Sequence, residues 1–296
     1  MKKFMRVLIV VFVLGVAGAV SLGMVDFAGE EVRAVEEFPE EAIQDIEVEA
    51  TSMDVEVQSS DSDQIAVTFE GTTRGNDEPY YRVDREGETL KIEQIPRNQF
   101  SFFPFFAGDD ANLRIAIPER MFDHFALETT SGDMTISKVQ AGEAHINSTS
   151  GSIELKESTI EDRLSLETTS GDVYGSSNTI QNASYQTTSG SISDQSPQGE
   201  TFDYRTTSGD LEVKRSQVAR NTNIQTNSGD VSFLHSSSPE SLAVEFSSNS
   251  GEAVVDAEGM VYETKTEHSF LGKTGENDVR QLNVRTQSGD FHLEKE

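Results

Sequence analysis

A Ser-Gly pair that recurs at intervals of about 20 residues constrains the fold of this chain more than any other feature. Successive glycines lie 19, 20, 19, 19, 20, 22 and 38 residues apart, and the last interval is twice 19. We therefore interpret residues 262–268 as one repeat that has lost its Ser-Gly signature. Repeats of this length are supersecondary units that bury their apolar faces only by stacking on their neighbours. The eight pairs are Ser131-Gly132, Ser150-Gly151, Ser170-Gly171, Ser189-Gly190, Ser208-Gly209, Ser228-Gly229, Ser250-Gly251 and Ser288-Gly289.

Around each glycine, apolar and polar residues alternate with the period of a β-strand. Apolar residues stand seven and five positions before the glycine, as Phe125 and Leu127 do, and two and four positions after it, as Met134 and Ile136 do. The inward positions change from odd to even offsets, so the Ser-Gly pair must absorb one residue as a bend or bulge. We expect glycine there because it tolerates a positive φ. Thr or Ser always stands three positions before the glycine, which predicts an inward hydroxyl ladder at the bend.

Two short strands per repeat at a near-constant period predict an all-β fold, a parallel β-solenoid with coils of about 20 residues. An antiparallel sandwich or barrel also has short, evenly spaced strands, but it does not require the same residue type at the same offset in every repeat. We expect residues 125–296 to form the repeat solenoid. Residues 43–124 are expected to form irregular N-terminal β coils that cap it, since residues 51–55 resemble a degraded repeat core.

The first 26 residues are typical of a targeting segment. Lys2, Lys3 and Arg6 precede 19 residues without a charge, at positions 7–25. This segment is either an uncleaved signal anchor that crosses the membrane as a helix or a signal peptide cleaved after a small-residue site such as Ala17-Gly18-Ala19. In both cases the remainder is exported. We predict a single-pass cell-membrane protein with an extracytoplasmic C-terminal domain, or else a secreted one. Residues 27–42 are predicted to be an acidic, strand-poor spacer.

Composition excludes several functional classes. The chain has 52 Asp and Glu residues against 23 Lys and Arg residues, and its formal net charge is −29. This charge argues against a nucleic-acid partner, because contacts to phosphates need clustered cations. The chain contains no cysteine, which excludes disulfides, zinc-thiolate sites, thiol nucleophiles and a lipid-modified cysteine.

A search for chemistry predicts no catalytic, cofactor-binding or metal-binding residue and no cofactor. None of the five histidines has a partner at metal-ligand spacing, and no nucleophile-elbow or phosphate-loop motif occurs. The position after each glycine has two interpretations, because stacked carboxylates there are either turn residues or calcium ligands. We favour the turn interpretation. The residues at this position are Asp133, Ser152, Asp172, Ser191, Asp210, Asp230, Glu252 and Asp290.

One segment does not fit the repeat. Residues 100–106 contain five phenylalanines in seven residues. Such a loop either closes the open end of the solenoid as a hydrophobic plug or contacts a partner or a membrane.

The pattern at residues 127–133, Leu-Glu-Thr-Thr-Ser-Gly-Asp, and its copies resemble the bacterial "putative adhesin" β-strand-repeat family, as does the Pro-ended strand pattern at residues 113–118. The resemblance covers roughly residues 43–296. A single N-terminal hydrophobic segment followed by an exported repeat is also similar to the layout of LiaG-like proteins of a bacterial cell-envelope stress operon. These resemblances imply a surface-located, non-enzymatic protein, and they supply no catalytic or ligand-binding residue.

These features predict a membrane-anchored, non-enzymatic protein with a binding or scaffolding role at the bacterial cell envelope. Its expected partner, besides the membrane at its N-terminus, is an envelope protein or a glycan. The alternative is a carbohydrate-active β-solenoid enzyme that acts on cell-wall or extracellular glycans. For that alternative, the outward carboxylates of Asp172 and Asp210 would be the residues to mutate.

Overall fold

The computed structural model describes residues 30–39, 43–73, 81–95, 111–215, 218–236, 241–275 and 279–295. Within these ranges the protein is all-β, with 25 strands. The described residues contain no helix with the length and apolar character needed to cross a membrane. The predicted targeting segment at residues 1–26 and the Phe-rich loop at residues 100–106 lie outside the described residues.

The strands form two sheets that share one apolar core. Across sheet A, the strands are β1 (Glu30–Pro39), β4 (Gln64–Thr73), β7 (Asn112–Pro118), β3 (Asp54–Ser60), β9 (Met134–Ser137), β11 (Ile153–Lys156), β13 (Val173–Ser176), β15 (Ile192–Gln195), β17 (Leu211–Arg215), β19 (Val231–His235), β25 (Phe291–Lys295) and β21 (Ala253–Val255). Across sheet B, they are β22 (Val261–Lys265), β23 (Ser269–Thr274), β20 (Leu242–Ser247), β24 (Arg280–Arg285), β18 (Asn221–Gln225), β16 (Thr201–Arg205), β14 (Thr179–Gln186), β12 (Thr159–Thr168), β10 (Gln140–Ser148), β8 (Met121–Thr129), β2 (Asp45–Glu49), β6 (Thr89–Gln94) and β5 (Tyr81–Glu86).

Each repeat is one coil of a parallel solenoid, as the sequence predicted. The chain runs along a strand of sheet B, turns at the Ser-Gly bend, and continues along a short strand of sheet A. Equivalent positions of successive repeats then pair side by side, for example Ile146 with Leu166 in sheet B and Ile153 with Val173 in sheet A. The parallel pairing excludes the antiparallel sandwich. The four predicted apolar columns are buried, except that Ala253 and Val255 in the end coil are half-buried.

Glycine is required at the bend by close approach, and the expectation of a positive φ there is wrong. A Cβ atom on Gly190 would lie 1.9 Å from the carbonyl oxygen of Gly171, and every other Ser-Gly glycine is crowded in the same way by the coil stacked beside it. Left-handed backbone occurs instead at the opposite corner, six positions after the glycine. The residues with positive φ there are Lys138, Glu157, Ser177 and Ser196.

The predicted hydroxyl ladder is confirmed at this bend. The amide of Gly190 donates a hydrogen bond to Oγ1 of Thr187 (3.1 Å), and that hydroxyl donates to the carbonyl oxygen of Gly171 in the neighbouring coil (2.9 Å). Thr168 and Thr206 repeat both hydrogen bonds in adjacent coils. The hydroxyl therefore closes its own bend and ties that bend to the next one.

The C-terminal coil does not stack in chain order. Strands β24 and β25 pair with β18 and β19 on one side and with β20 and β21 on the other. The interpretation of residues 262–268 as a degraded repeat is wrong, because β22 forms an antiparallel hairpin with β23, and β23 pairs antiparallel with β20. This hairpin covers an edge that would otherwise expose unpaired backbone groups. Among the described strands, none pairs with the outer edge of β22, so the close approach that requires Ser-Gly does not arise there.

The N-terminal end is closed in a similar way. The coil of β2 and β3 stacks on β8 and β9, and the coil of β6 and β7 lies outside it. Strands β4 and β5 then pair antiparallel with β7 and β6. The prediction of a strand-poor segment is wrong over Glu30–Pro39, which forms β1 along the edge of β4. Acidic composition does not prevent this, because the ladder is made by backbone groups and edge strands commonly carry charges and proline.

Replacing Gly190 with Ala is expected to lower the free energy of unfolding by at least about 3 kcal/mol, because the new Cβ must push two coils apart. The matched control is Gly87→Ala, at a glycine with φ of 68° and no atom within 4 Å of the added Cβ. That control should lose only about 1–2 kcal/mol, the cost of left-handed backbone in alanine. Urea unfolding followed by circular dichroism measures both values. Equal losses would contradict the close-approach explanation.

Candidate binding surface

The outer face of sheet B carries a column of outward side chains that changes charge along the stack. In the eight Ser-Gly repeats this column stands four positions before the glycine, and in the N-terminal coils Glu49 and Glu93 continue it by strand pairing. Its N-terminal end is acidic, its middle is rich in amides, and its C-terminal end contains two arginines. In stacking order the residues are Glu93, Glu49, Glu128, Asn147, Glu167, Gln186, Arg205, Gln225, Arg285 and Ser247.

A cleft of about 480 Å³ lies at the acidic end and is lined in part by Glu49, Glu93 and Glu128. Lys91 makes ion pairs with Glu93 (2.7 Å) and Glu49 (3.2 Å), and Arg82 pairs with Glu93 (2.6 Å). The hydrogen bonds from Lys91 and Arg82 lower the pKa of Glu93. Because local cations already neutralise part of this cluster, it does not present an open set of cation ligands.

A second cleft, of about 170 Å³, lies at the basic end. Its polar lining comes from three strands, β16, β18 and β24. Arg205 pairs with Asp203 at 2.5 Å, and Nδ2 of Asn283 donates to Oδ1 of Asn223 at 2.9 Å. Partial burial raises the pKa of Asp203, although the charge of Arg205 opposes the shift. The polar side chains that line the cleft are Asp203, Arg205, Asn223, Gln225, Asn283 and Arg285.

The five aspartates that follow a Ser-Gly glycine accept hydrogen bonds from backbone amides, in agreement with the turn interpretation. Oδ1 of Asp172 accepts a hydrogen bond from the amide of Ser191 (2.8 Å), and its Oδ2 accepts one from the hydroxyl of Tyr174 (3.0 Å). Oδ1 of Asp210 accepts from the amide of Asp230 in the next coil (3.0 Å). Over the described part of the chain, no three His, Asp or Glu side chains are grouped so that they could hold a metal ion.

A buried polar cluster, which the repeat pattern did not predict, interrupts the apolar interior. Asp194 occupies the apolar column four positions after the glycine, and its side chain is fully buried. In the adjacent coil the same column holds Gly175, where a Cβ atom would lie 2.3 Å from Oδ1 of Asp194. The signal was present in the sequence as a charged residue and a glycine side by side in a column that is otherwise apolar.

Aromatic and cationic groups surround this carboxylate. The hydroxyl of Tyr204 donates a hydrogen bond of 2.6 Å to Oδ2 of Asp194, and the rings of Tyr204 and Tyr185 lie 5.1 Å apart. The guanidinium of Arg215 lies 4.4 Å above the ring of Phe202. Burial raises the pKa of Asp194 to about 6, against the hydrogen bond from Tyr204 and the charge of Arg215. The cluster lies inside the stack, so it bears on stability and not on surface contact.

The Asp194 carboxyl should make the protein less stable as pH rises. Burial holds its pKa at about 6 in the folded chain, above the ordinary value of 3.8. At pH values between these two, the folded chain keeps the proton that the unfolded chain has lost. Its stabilising contribution is complete below about pH 4 and is lost as pH rises through about 6. The loss is roughly 3 kcal/mol at about 1.4 kcal/mol per pKa unit.

This dependence is measured as the difference in unfolding free energy between the wild type and Asp194→Asn from pH 4 to pH 8. The variant should gain relative to the wild type as pH rises. Tyr204→Phe removes the hydrogen bond to the ionised carboxylate and should move the transition to higher pH. A difference that stays constant with pH would refute the assignment to Asp194.

Calcium is expected to leave the melting temperature unchanged, because the carboxylates beside the bends already accept backbone hydrogen bonds. Thermal unfolding with added calcium and with a chelator measures this. A calcium-dependent rise in melting temperature that Asp172→Asn and Asp210→Asn abolish would instead establish a metal site.

Comparison with known proteins places the fold. The profile of the Toastrack family (DUF4097) matches residues 43–294. A crystal structure of a "putative lipid binding protein" from Parabacteroides distasonis ATCC 8503 is similar, with a TM-score of 0.53 and 16% identity over 90% of this chain and 98% of that chain. A "putative adhesin" from the same strain has a TM-score of 0.48 and 11% identity over 90% and 98% of the two chains. A "putative adhesin" from Bacteroides fragilis NCTC 9343 has a TM-score of 0.48 and 11% identity over 89% and 97%.

No curated protein sequence matches the chain. The family profile confirms the resemblance that rested on the repeated Thr-Thr-Ser-Gly-Asp motif, and it spans both the irregular N-terminal coils and the repeats. The chain therefore belongs to the Toastrack family (DUF4097).

Proposed function

We propose that this protein is a non-enzymatic binding or scaffolding module that acts outside the cytoplasmic membrane, held at the cell envelope by its N-terminal segment. The outer face of sheet B would be its contact surface. The observation that carries this proposal is the separation of roles in the coil. The bend and the inward columns hold the solenoid together, while the outward column of sheet B changes in charge from coil to coil, from Glu49 to Arg285.

The location rests on sequence. Three cations precede 19 uncharged residues, which is the arrangement of an exported or anchored protein. The similarity of this layout to LiaG-like proteins supports a part in the envelope stress response. The high negative charge suits an exported rod, because it limits adhesion to anionic lipids and polymers except where cations are exposed.

The proposal of a non-enzymatic role rests on the hydrogen bonds that the outward carboxylates already accept. Both oxygens of Asp172 and one oxygen of Asp210 accept hydrogen bonds from the protein itself. A general acid or nucleophile must instead point an oxygen at its substrate. Of the two carboxylates that the enzymatic alternative would use, Asp172 is therefore held in a structural role through both oxygens and Asp210 through one.

The test is to follow the full-length chain in cells by fractionation and protease shaving. We expect it in the membrane fraction and accessible to external protease. The variant Val11→Asp/Leu14→Asp places two charges in the apolar run and should leave the chain in the cytosol, while Val11→Leu is the matched control. Full-length wild-type chain in the cytosol would overturn the proposal.

Binding and catalysis are tested on the purified full-length chain. It should co-sediment in a saturable manner with delipidated cell envelopes, which offer no bilayer to the N-terminal segment, and release no reducing sugar from them. Release of sugar that is lost in Asp172→Asn/Asp210→Asn would favour the enzymatic alternative.

A further inference from the structure

We propose that the cleft between Arg205 and Arg285 is a binding site for an acidic glycan, one in which carboxylate- or phosphate-bearing units alternate with neutral sugars. This inference rests on the proposed binding function and names the ligand class and the residues that would recognise it.

The two arginines can bind oxyanions at a defined separation. Arg205 and Arg285 occupy the same column, with Gln225 on the strand between them. At the usual strand spacing, their backbones are therefore about 10 Å apart along the stack. A guanidinium offers a planar pair of donors that matches a carboxylate or phosphate. A linear polymer that runs along the stack would meet one guanidinium and then the other.

The two guanidinium groups differ in how they are held. Arg205 is positioned by Asp203, and its side chain is still 51% exposed. Arg285 is exposed, and its guanidinium has no hydrogen-bond or ion-pair partner among the described residues. Its donors are therefore available to an oxyanion, in a chain that has 52 acidic residues against 23 Lys and Arg.

The amides between the arginines favour a carbohydrate. Asn223, Gln225 and Asn283 each present a donor and an acceptor, which suits sugar hydroxyls that are themselves both. The hydrogen bond from Asn283 to Asn223 orients two of these amides. Ile224 is the apolar residue in the lining, and only 2% of it is exposed. The cleft therefore lacks the apolar anchor that a protein hot spot or a lipid chain would need.

Charge limits how acidic the glycan can be. Asp203, Arg205 and Arg285 sum to +1 in the cleft, whereas the whole chain has a formal charge of −29. A polymer with an anion on every unit would gain two ion pairs and be repelled by the rest of the surface within a Debye length of about 8 Å. A glycan with acidic groups separated by neutral sugars gains the same contacts with less repulsion. The repulsion therefore disfavours polymers that carry an anion on every unit.

The experiment measures binding of the purified full-length chain to four probes by calorimetry. A hyaluronan oligosaccharide supplies alternating carboxylates, and an oligomer of phosphodiester-linked disaccharides supplies phosphates separated by neutral sugars. A chito-oligosaccharide of equal length is the neutral control, and phosphatidylglycerol vesicles are the lipid control. We expect saturable binding to at least one of the first two probes and little binding to the neutral sugar. Binding to the vesicles, which the N-terminal segment would supply, should be the same in the wild type and in Arg205→Gln/Arg285→Gln.

Variants assign the binding to the cleft. Arg205→Gln/Arg285→Gln should weaken binding by about tenfold or more, as expected for the loss of charged hydrogen bonds. Arg205→Lys/Arg285→Lys keeps the charge but not the planar donor pair, and it should fall between that variant and the wild type. Arg114→Gln/Arg163→Gln removes the same charge from exposed arginines outside the cleft and should bind like the wild type. Unchanged melting temperatures show that each variant is folded.

Several results would overturn the inference. They are equal binding of the neutral oligosaccharide, equal loss in both double Gln variants, binding confined to the vesicles, and no binding to either acidic probe. Envelope co-sedimentation separates this failure from that of the proposed function. If wild type and Arg205→Gln/Arg285→Gln co-sediment equally, the cleft assignment fails while the binding function stands. If the wild type does not co-sediment, the binding function fails.

Discussion

The close approach of successive coils at the Ser-Gly bend is the constraint on which the rest of the structure depends. The glycine of one coil contacts the carbonyl of the next at a distance that no Cβ allows. Beside it, the buried Thr hydroxyl closes the bend and bonds to the neighbouring glycine carbonyl, and the following Asp accepts a neighbouring amide. One corner of the coil thus satisfies backbone groups that would otherwise be buried without partners. Every coil must repeat this corner, so its residues recur while others vary.

Because the bend and the buried columns hold the coils together, the residue types on the outer face of sheet B can differ from coil to coil. Its side chains contribute little to the stack, so they can be acidic at one end, amide-rich in the middle and basic at the other without loss of fold. A long parallel face of this kind presents chemical groups at a regular spacing, which suits an extended polymer better than a compact ligand. The insertion of the C-terminal coil sharpens the arrangement, because it brings Arg285 beside Gln225 and close to Arg205.

The cluster around Asp194 differs from the rest of the core, because it places a titratable side chain in a column that holds apolar residues in most other coils. Gly175 makes room for its carboxylate in one neighbouring coil, and Tyr204 supplies a hydrogen bond from the other. If the coils shifted by one repeat, Asp194 would face Leu155 in place of Gly175, or Phe233 in place of Val213. Burial of a carboxylate without partners is costly, so the cluster penalises misregistered stacking of otherwise similar coils.

The sequence by itself determined the repeat, the parallel solenoid, the four buried columns and the hydroxyl ladder, because each follows from residue types that recur at constant offsets. Tertiary structure alone decided why glycine is needed at the bend, since crowding by a neighbouring carbonyl leaves no trace in a single repeat. It also decided the ends. Glu30–Pro39 forms an edge strand, residues 262–268 belong to a hairpin cap, and the last coil inserts between two earlier ones. Stacking order depends on which open edges must be covered, and local periodicity carries no information about which coil lies beside which. For that reason the column of outward residues was visible in the sequence, whereas the cleft between Arg205 and Arg285 was not.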